Sequence, residues 1–328
     1  MLQACVAVES QSILSIDKHK GVCWVAGREE ITQKQIDALL MCNVNWISQT
    51  PFGWQQDAST SFIGTNFSSD RIWWGESDRG ISLTTEIANK SGVKTLLKPH
   101  LWVRNGWPGD IKMKSDTAWQ NWFSNYEAFI LHYAGLAEKN KIEAFCIGTE
   151  LQKTTIHEEE WRLVISKIRS IYSGKLIYAA NFHKEFEQIK FWDALDYIGI
   201  QAYFSLSTKR DASLEELTKN WNAPLLAIER VHKKYNKPVV FTEIGYRSDV
   251  QAAIEPWTWP RDMKEVPVSE ETQALCYQAF FNAAWSKNWL AGVYFWKWYP
   301  HGTRRSAETD FTPQGKPAEK IMKENFAR

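Results

Sequence analysis

Short apolar runs alternate with amphipathic stretches along this chain. The runs are apolar at consecutive positions, which predicts strands buried on both faces, as in a parallel sheet. Eight are expected, near residues 21–26, 44–49, 93–100, 144–150, 175–181, 197–203, 238–243 and 292–296. Between them apolar residues recur at helical spacing, over 32–41, 82–91, 116–139, 158–172, around 191–195, within 214–235 and over 269–287. A last helix is expected over 317–325. Thr32 with Gln35 fits a capping box at the first helix. Eight strand–helix units predict an α/β fold, a single-domain (β/α)8 TIM barrel over residues 21–328. The rival, an open doubly wound sheet, needs a glycine-rich turn after its first strand. Here Gly27-Arg28-Glu29-Glu30 follows instead.

In such a barrel chemistry sits at the C-terminal ends of the strands. The predicted third strand ends in Lys98-Pro99-His100-Leu101-Trp102, the fourth in Glu150, the fifth in Asn181 and the sixth in Gln201-Ala202-Tyr203. The seventh ends in Glu243 and the eighth in Trp296-Lys297-Trp298. The opposite ends carry ordinary solvated charge, such as Lys94 and Lys175. Glu150 and Glu243 each close an apolar run, Cys146-Ile147-Gly148-Thr149-Glu150 and Val239-Val240-Phe241-Thr242-Glu243. Taken singly, Glu150 could be a helix-start carboxylate and Glu243 a buried glutamate paired to a cation. Together they are what glycoside hydrolysis needs: one acid for the leaving oxygen, one carboxylate for the sugar or for water.

Lys98, His100, Trp102, Asn181, Tyr203, Trp257, Trp296 and Trp298 are the candidate substrate contacts around that pair. His100 has a second reading as a hydrogen-bonded core histidine. The Tyr203 hydroxyl is placed to hold a Glu243 carboxylate oxygen and keep it ionised. Trp296 reads either as a floor under the reacting sugar or as a core tryptophan. Trp102, Trp107, Trp257, Trp259 and Trp298 are expected on loops above the mouth, as stacking platforms.

Composition narrows the partner. Lys plus Arg is 39 and Asp plus Glu is 38, a net charge of +1, so no nucleic-acid footprint is present. The 18 tryptophans exceed what a core needs, and the surplus suits a flat apolar ligand face such as that of a sugar ring. Cys5, Cys23, Cys42, Cys146 and Cys276 are scattered and read as buried free thiols. No pair has metal-ligand spacing, and no zinc-protease, Walker or Gly-x-Ser-x-Gly motif occurs, so no metal or cofactor is expected. No run is long enough for a membrane span. Residues 1–20 form an N-terminal extension. Leu2-Gln3-Ala4-Cys5 matches the end of a lipoprotein signal without its apolar stretch. It is either the remnant of a trimmed signal, with Cys5 as the lipid anchor, or a chance match. A secreted, periplasmic or lipid-anchored monomer is slightly favoured over a cytoplasmic one.

The motifs also carry a resemblance. Leu97-Lys98-Pro99-His100, Ile147-Gly148-Thr149-Glu150-Leu151, Tyr178-Ala179-Ala180-Asn181 and Phe191-Trp192-Asp193 come in that order. Asp196-Tyr197-Ile198-Gly199, Ala202-Tyr203-Phe204, Phe241-Thr242-Glu243-Ile244-Gly245-Tyr246-Arg247-Ser248, Pro256-Trp257 and Thr312-Pro313-Gln314-Gly315-Lys316-Pro317-Ala318 follow. In this order and spacing the chain resembles glycoside hydrolase family 113, within the clan A barrel glycosidases. The resemblance implies an endo-acting β-1,4-mannanase that retains anomeric configuration without a metal. On it, Glu150 matches the acid/base and Glu243 the nucleophile. Thr149 stands where the wider clan often has Asn, which leaves the contact to the sugar 2-hydroxyl unassigned. The second strand, Asn45-Trp46-Ile47-Ser48-Gln49-Thr50, is less family-like and is expected to alter one wall of the cleft. A clan A hydrolase of another β-linked hexose, such as a β-glucan, and a carbohydrate-binding barrel without catalysis remain the alternatives.

Overall fold

A computed structural model describes residues 17–65, 72–259, 266–302 and 308–328. Cys5 and most of the N-terminal extension therefore lie outside the described residues. The strands are β1 (His19–Trp24), β2 (Trp46–Gln49), β3 (Phe52–Gln55), β4 (Lys94–Leu97) and β5 (His100–Val103). They continue with β6 (Ala144–Thr149), β7 (Lys175–Asn181), β8 (Tyr197–Gln201), β9 (Val239–Ile244) and β10 (Leu290–Trp298). Eight of them close a parallel barrel in the order β1-β10-β9-β8-β7-β6-β4-β2. The helices between are α1 (Gln33–Leu40), α2 (Asp78–Lys90), α3 (Asp116–Lys139), α4 (Glu158–Ile171) and α5 (Glu185–Gln188). Then come α6 (Leu214–Asn220), α7 (Asn222–Tyr235), α8 (Glu270–Phe280) and α9 (Pro317–Phe326). The architecture is the (β/α)8 barrel.

Strand alternation makes two cores. Cys23, Trp46, Leu96, Cys146, Ile177, Val240 and Tyr294 pack together and fill the barrel. Their neighbours along the strands, such as Val22, Trp24, Ile47 and Phe241, join the helices in a larger surrounding core. Helix starts follow their capping residues. Ser77, Ser115, Ser213 and Ser269 each accept a hydrogen bond from the first turn that follows. At α1 the Gln35 side chain accepts from the Thr32 backbone N–H at 2.8 Å.

Four local expectations are corrected. The strand expected over 93–100 breaks after Leu97, and so does its neighbour after Gln49. Each passes through a proline, Pro99 and Pro51, which has no N–H for the ladder. Each then resumes, and β3 and β5 form a separate two-stranded parallel sheet above the rim, with Phe52 opposite His100 and Trp54 opposite Trp102. The helix expected within 214–235 is two helices meeting at Trp221. The helix expected over 269–287 loosens into a π turn, Phe281–Trp285. Around 191–195 there is only a 3-10 turn, Trp192–Ala194, while α5 precedes it unpredicted.

Candidate active site

Glu243 lies near the end of β9 with 5% of its surface exposed. Burial alone would keep its proton on, but Lys98, wholly buried, forms an ion pair with its Oε1. The Tyr203 hydroxyl donates to Oε2 at 2.7 Å, and the Gln201 side chain adds another hydrogen bond. Burial opposes the charge, yet the Lys98 ammonium outweighs it and holds the carboxyl below its usual range. The same pairing keeps Lys98 protonated against its own burial. His100 Nε2 approaches Glu243 Oε1 to 3.7 Å. Burial, with Lys98 beside it, pushes that imidazole down to about 3, so it is neutral and makes no ion pair. Its buried Nε2 has no hydrogen-bond partner among the described residues.

Glu150 follows β6 directly, in the left-handed region at φ 52°. A non-glycine residue there is strained by ~1 kcal/mol or more, and such strain collects at functional sites. Its own N–H is tied to the Ala179 carbonyl at 2.8 Å, which helps hold the turn. Asn181 Nδ2 donates to Glu150 Oε1 at 2.6 Å, and the Trp107 side chain makes a further hydrogen bond. Burial first, and the charge of Glu243 second, push the Glu150 carboxyl up to about 7. The two carboxyls therefore differ in the way acid/base pairs differ: one protonated near neutrality, one ionised.

Behind Glu150 lies a third carboxyl that the sequence did not reveal. Glu185 is fully buried. It accepts from the Tyr178 hydroxyl at 2.6 Å and from the Asn181 backbone N–H at 2.6 Å. Tyr178 in turn accepts from the Leu151 N–H at 2.8 Å. Both neighbours of Glu150, Leu151 in sequence and Asn181 in space, are thus fixed through one carboxyl. Burial pushes Glu185 up to about 8. In sequence Glu185 reads as one more charge in a polar stretch. The available signal was its position four residues after Asn181.

The other expected site residues separate. Lys98 and Asn181 were expected to touch substrate, but they are spent on Glu243 and Glu150 respectively. Trp107, expected as a platform, is likewise a partner of Glu150. Trp298 is a correction: β10 runs on through it, and it is 3% exposed within the outer core, level with Trp24 of β1. Trp102 and Trp257 are exposed at the rim, the latter stacked on Phe182 at 5.3 Å. Trp296 is half-buried and meets Trp259 edge-on at 6.2 Å. It lines, with Trp54, Trp73, Trp102 and Trp259, a hollow of about 420 Å³ at the ends of β1, β2 and β10. Among the described residues no cluster could hold a metal ion, and no helix is long and apolar enough to cross a membrane.

The sequence signature of Glycoside Hydrolase Family 113 matches residues 24–316. The chain belongs to that family. Among solved structures it is similar to a GH113 β-mannanase, AaManA of Alicyclobacillus acidocaldarius, in complex with ManMIm. That likeness has 26% identity and a TM-score of 0.82, covering 95% of this chain and 99% of the other. A GH113 β-1,4-mannanase, solved also as a complex, matches at 25% identity and TM-score 0.81 over 94% of this chain and 99% of the other. A β-glucuronidase of Ruminococcus gnavus shares the fold at 14% identity and TM-score 0.60, over 94% of this chain and 50% of the other. Comparison with curated protein sequences gives no match. Family 113 membership makes this chain a glycoside hydrolase, and Glu150 and Glu243 are its candidate machinery.

Proposed function

We propose that this family 113 protein is an endo-β-1,4-mannanase that retains anomeric configuration, with Glu150 as acid/base and Glu243 as nucleophile. Two carboxyls at the ends of the fourth and seventh barrel strands, Glu150 half-buried and Glu243 buried, are pushed in opposite directions, and that carries the reading. The similar family 113 structures are of β-mannanases, which supports mannan as the substrate.

Glu243, kept anionic by Lys98 and oriented by Tyr203, attacks the anomeric carbon. Glu150, protonated below about pH 7, gives its proton to the departing glycosidic oxygen. The C–O bond breaks, and a glycosyl ester forms on Glu243. Glu150 is now a carboxylate, held by Asn181 and Trp107. It takes a proton from water as that water attacks the anomeric carbon, freeing Glu243.

Product analysis on reduced manno-oligosaccharides of increasing length tests linkage and cleavage position together. NMR of the first-formed anomer tests retention. A first product of α configuration, or turnover of cello-oligosaccharides in preference to manno-oligosaccharides, would overturn the reading.

A further inference from the structure

We infer that the aromatic hollow at the ends of β1, β2 and β10 is a subsite for a second glycone sugar, in which Glu76 accepts hydrogen bonds from two adjacent hydroxyls of a hexosyl unit. The inference rests on Glu150 and Glu243 being the catalytic pair.

Barrel order fixes the direction of the chain. Glu150 follows β6, next to β7, where Asn181 and Phe182 lie with Trp257 stacked on Phe182; a protonated acid must face the leaving group, so the departing part of the substrate lies on that side. The strands opposite β6 and β7 across the barrel are β10 and β1, and the hollow opens there and at the adjoining end of β2, bordered by Val25, Ala26, Thr50 and Trp296. β10 is also the direct neighbour of β9, which carries Glu243. A sugar attacked by Glu243 therefore extends its non-reducing end into this hollow. Its volume, about 420 Å³, lies within the range of small-ligand sites.

The walls are aromatic: Trp54, Trp73, Trp102, Trp259 and Trp296. Such faces bind the C–H side of a sugar and leave its hydroxyls unanswered. Glu76 is the carboxyl among them, and it has no hydrogen-bond or ion-pair partner among the described residues. A half-buried carboxyl facing an apolar surface is costly unless something donates to it. Lys297, across the hollow, does not serve: its ammonium is 3.2 Å from Asp310 and lies over the rings of Trp259 and Tyr299. Tyr133, close enough to feel the charges of Glu76 and Asp78, is no cation, and the Arg28 guanidinium lies over the Trp73 ring. Burial pushes Glu76 up to about 7. Its two oxygens match two vicinal hydroxyls, which would supply the missing donors.

The test is a tryptophan-fluorescence titration with mannotriose in the Glu150→Gln protein, which removes turnover and the overlapping titration of Glu150. Adding Glu76→Ala should weaken binding roughly tenfold to a hundredfold, the worth of hydrogen bonds to a charged group. Affinity in the Glu76-intact protein should rise from pH 6 to pH 8 and be flat in Glu76→Gln, which keeps the side-chain shape should the alanine variant fail to fold. Unchanged affinity in both variants would overturn the inference. Aryl β-mannoside and aryl β-mannobioside separate it from the catalytic reading. In the Glu76 variants kcat/KM should fall for the bioside alone, and an equal fall on both would reduce Glu76 to a structural role and overturn the inference. If the unmutated protein cleaves neither glycoside, the catalytic reading fails, and the titration still decides the subsite.

Discussion

Lys98 decides which of the two glutamates carries charge. It is wholly buried, and its ion pair with Glu243 is what overcomes the burial of that carboxylate. Lys98→Met should leave Glu243 buried without its cation. The acid limb of the pH–kcat/KM profile should then move upward and turnover fall ~100-fold or more. Stability should fall by about 3–5 kcal/mol, as when one partner of a buried pair is removed. Kinetics across pH and urea denaturation check both. At the other carboxyl the proposed role sets the sign: a general acid must be protonated, so activity should decline as pH rises through about 7. Glu150→Ala should lose mannan turnover while keeping the first step for an activated aryl glycoside, whose leaving group needs no proton. Equal loss on both substrates would contradict the assignment. The pair itself was legible because each glutamate interrupts an apolar run. Its supports were not. Lys98 and Asn181 look like ligand contacts from sequence, since nothing in a one-dimensional pattern says whether a polar group at a rim faces outward or toward its neighbour.

At the scale of elements, close packing brings Glu150 to its place. A Cβ on Gly148 would lie 2.8 Å from both Trp161 and Tyr178. Gly148→Ala must therefore push β6 away from the residues that support the acid. It should cost about 1–3 kcal/mol and lower kcat more than it raises KM, as thermal melts and steady-state kinetics would show. The two tryptophans first grouped together should part company. Trp298→Ala should cost about 3–5 kcal/mol as a core truncation, whereas Trp257→Ala should leave the melting temperature nearly unchanged and weaken binding of longer oligosaccharides. Barrel strands were legible because burial on both faces writes a continuous apolar run. The β3–β5 sheet was not, because each short strand pairs with a segment some forty-eight positions away, as Phe52 with His100. Strand ends are also weakly encoded, which is why Trp298 was placed on a loop and not within β10.

Over the whole molecule, carboxyls wholly or partly withdrawn from water set how stability follows pH. Glu76 and Glu150 are raised to about 7 and Glu185 to about 8, from an ordinary value of 4.5. The folded state then binds more protons than the unfolded chain between those values. The stabilisation is complete below 4.5 and is lost as pH rises through 7 to 8. Glu243 is shifted the other way, so its contribution is present above the ordinary carboxylate value and lost in acid. The melting temperature should therefore peak in mildly acidic solution and decline toward pH 8.5. Glu185→Gln should flatten that decline; calorimetry across pH would show it, and an unchanged slope would remove Glu185 from the account.

Barrel closure joins the first strand of the chain to the last. β1 pairs with β10, and the Lys18 ammonium reaches the Leu290 carbonyl 272 positions further on. On a ribosome adding ~5–20 residues per second, β1 would wait roughly 15–55 s for that partner. Throughout that interval β1 is an open edge, ready to pair with any exposed strand it meets. Nascent chains arrested before Leu290 should be held by chaperones or aggregate, while chains that have released β10 should not. The last strand made is thus the one that ends the vulnerability of the first.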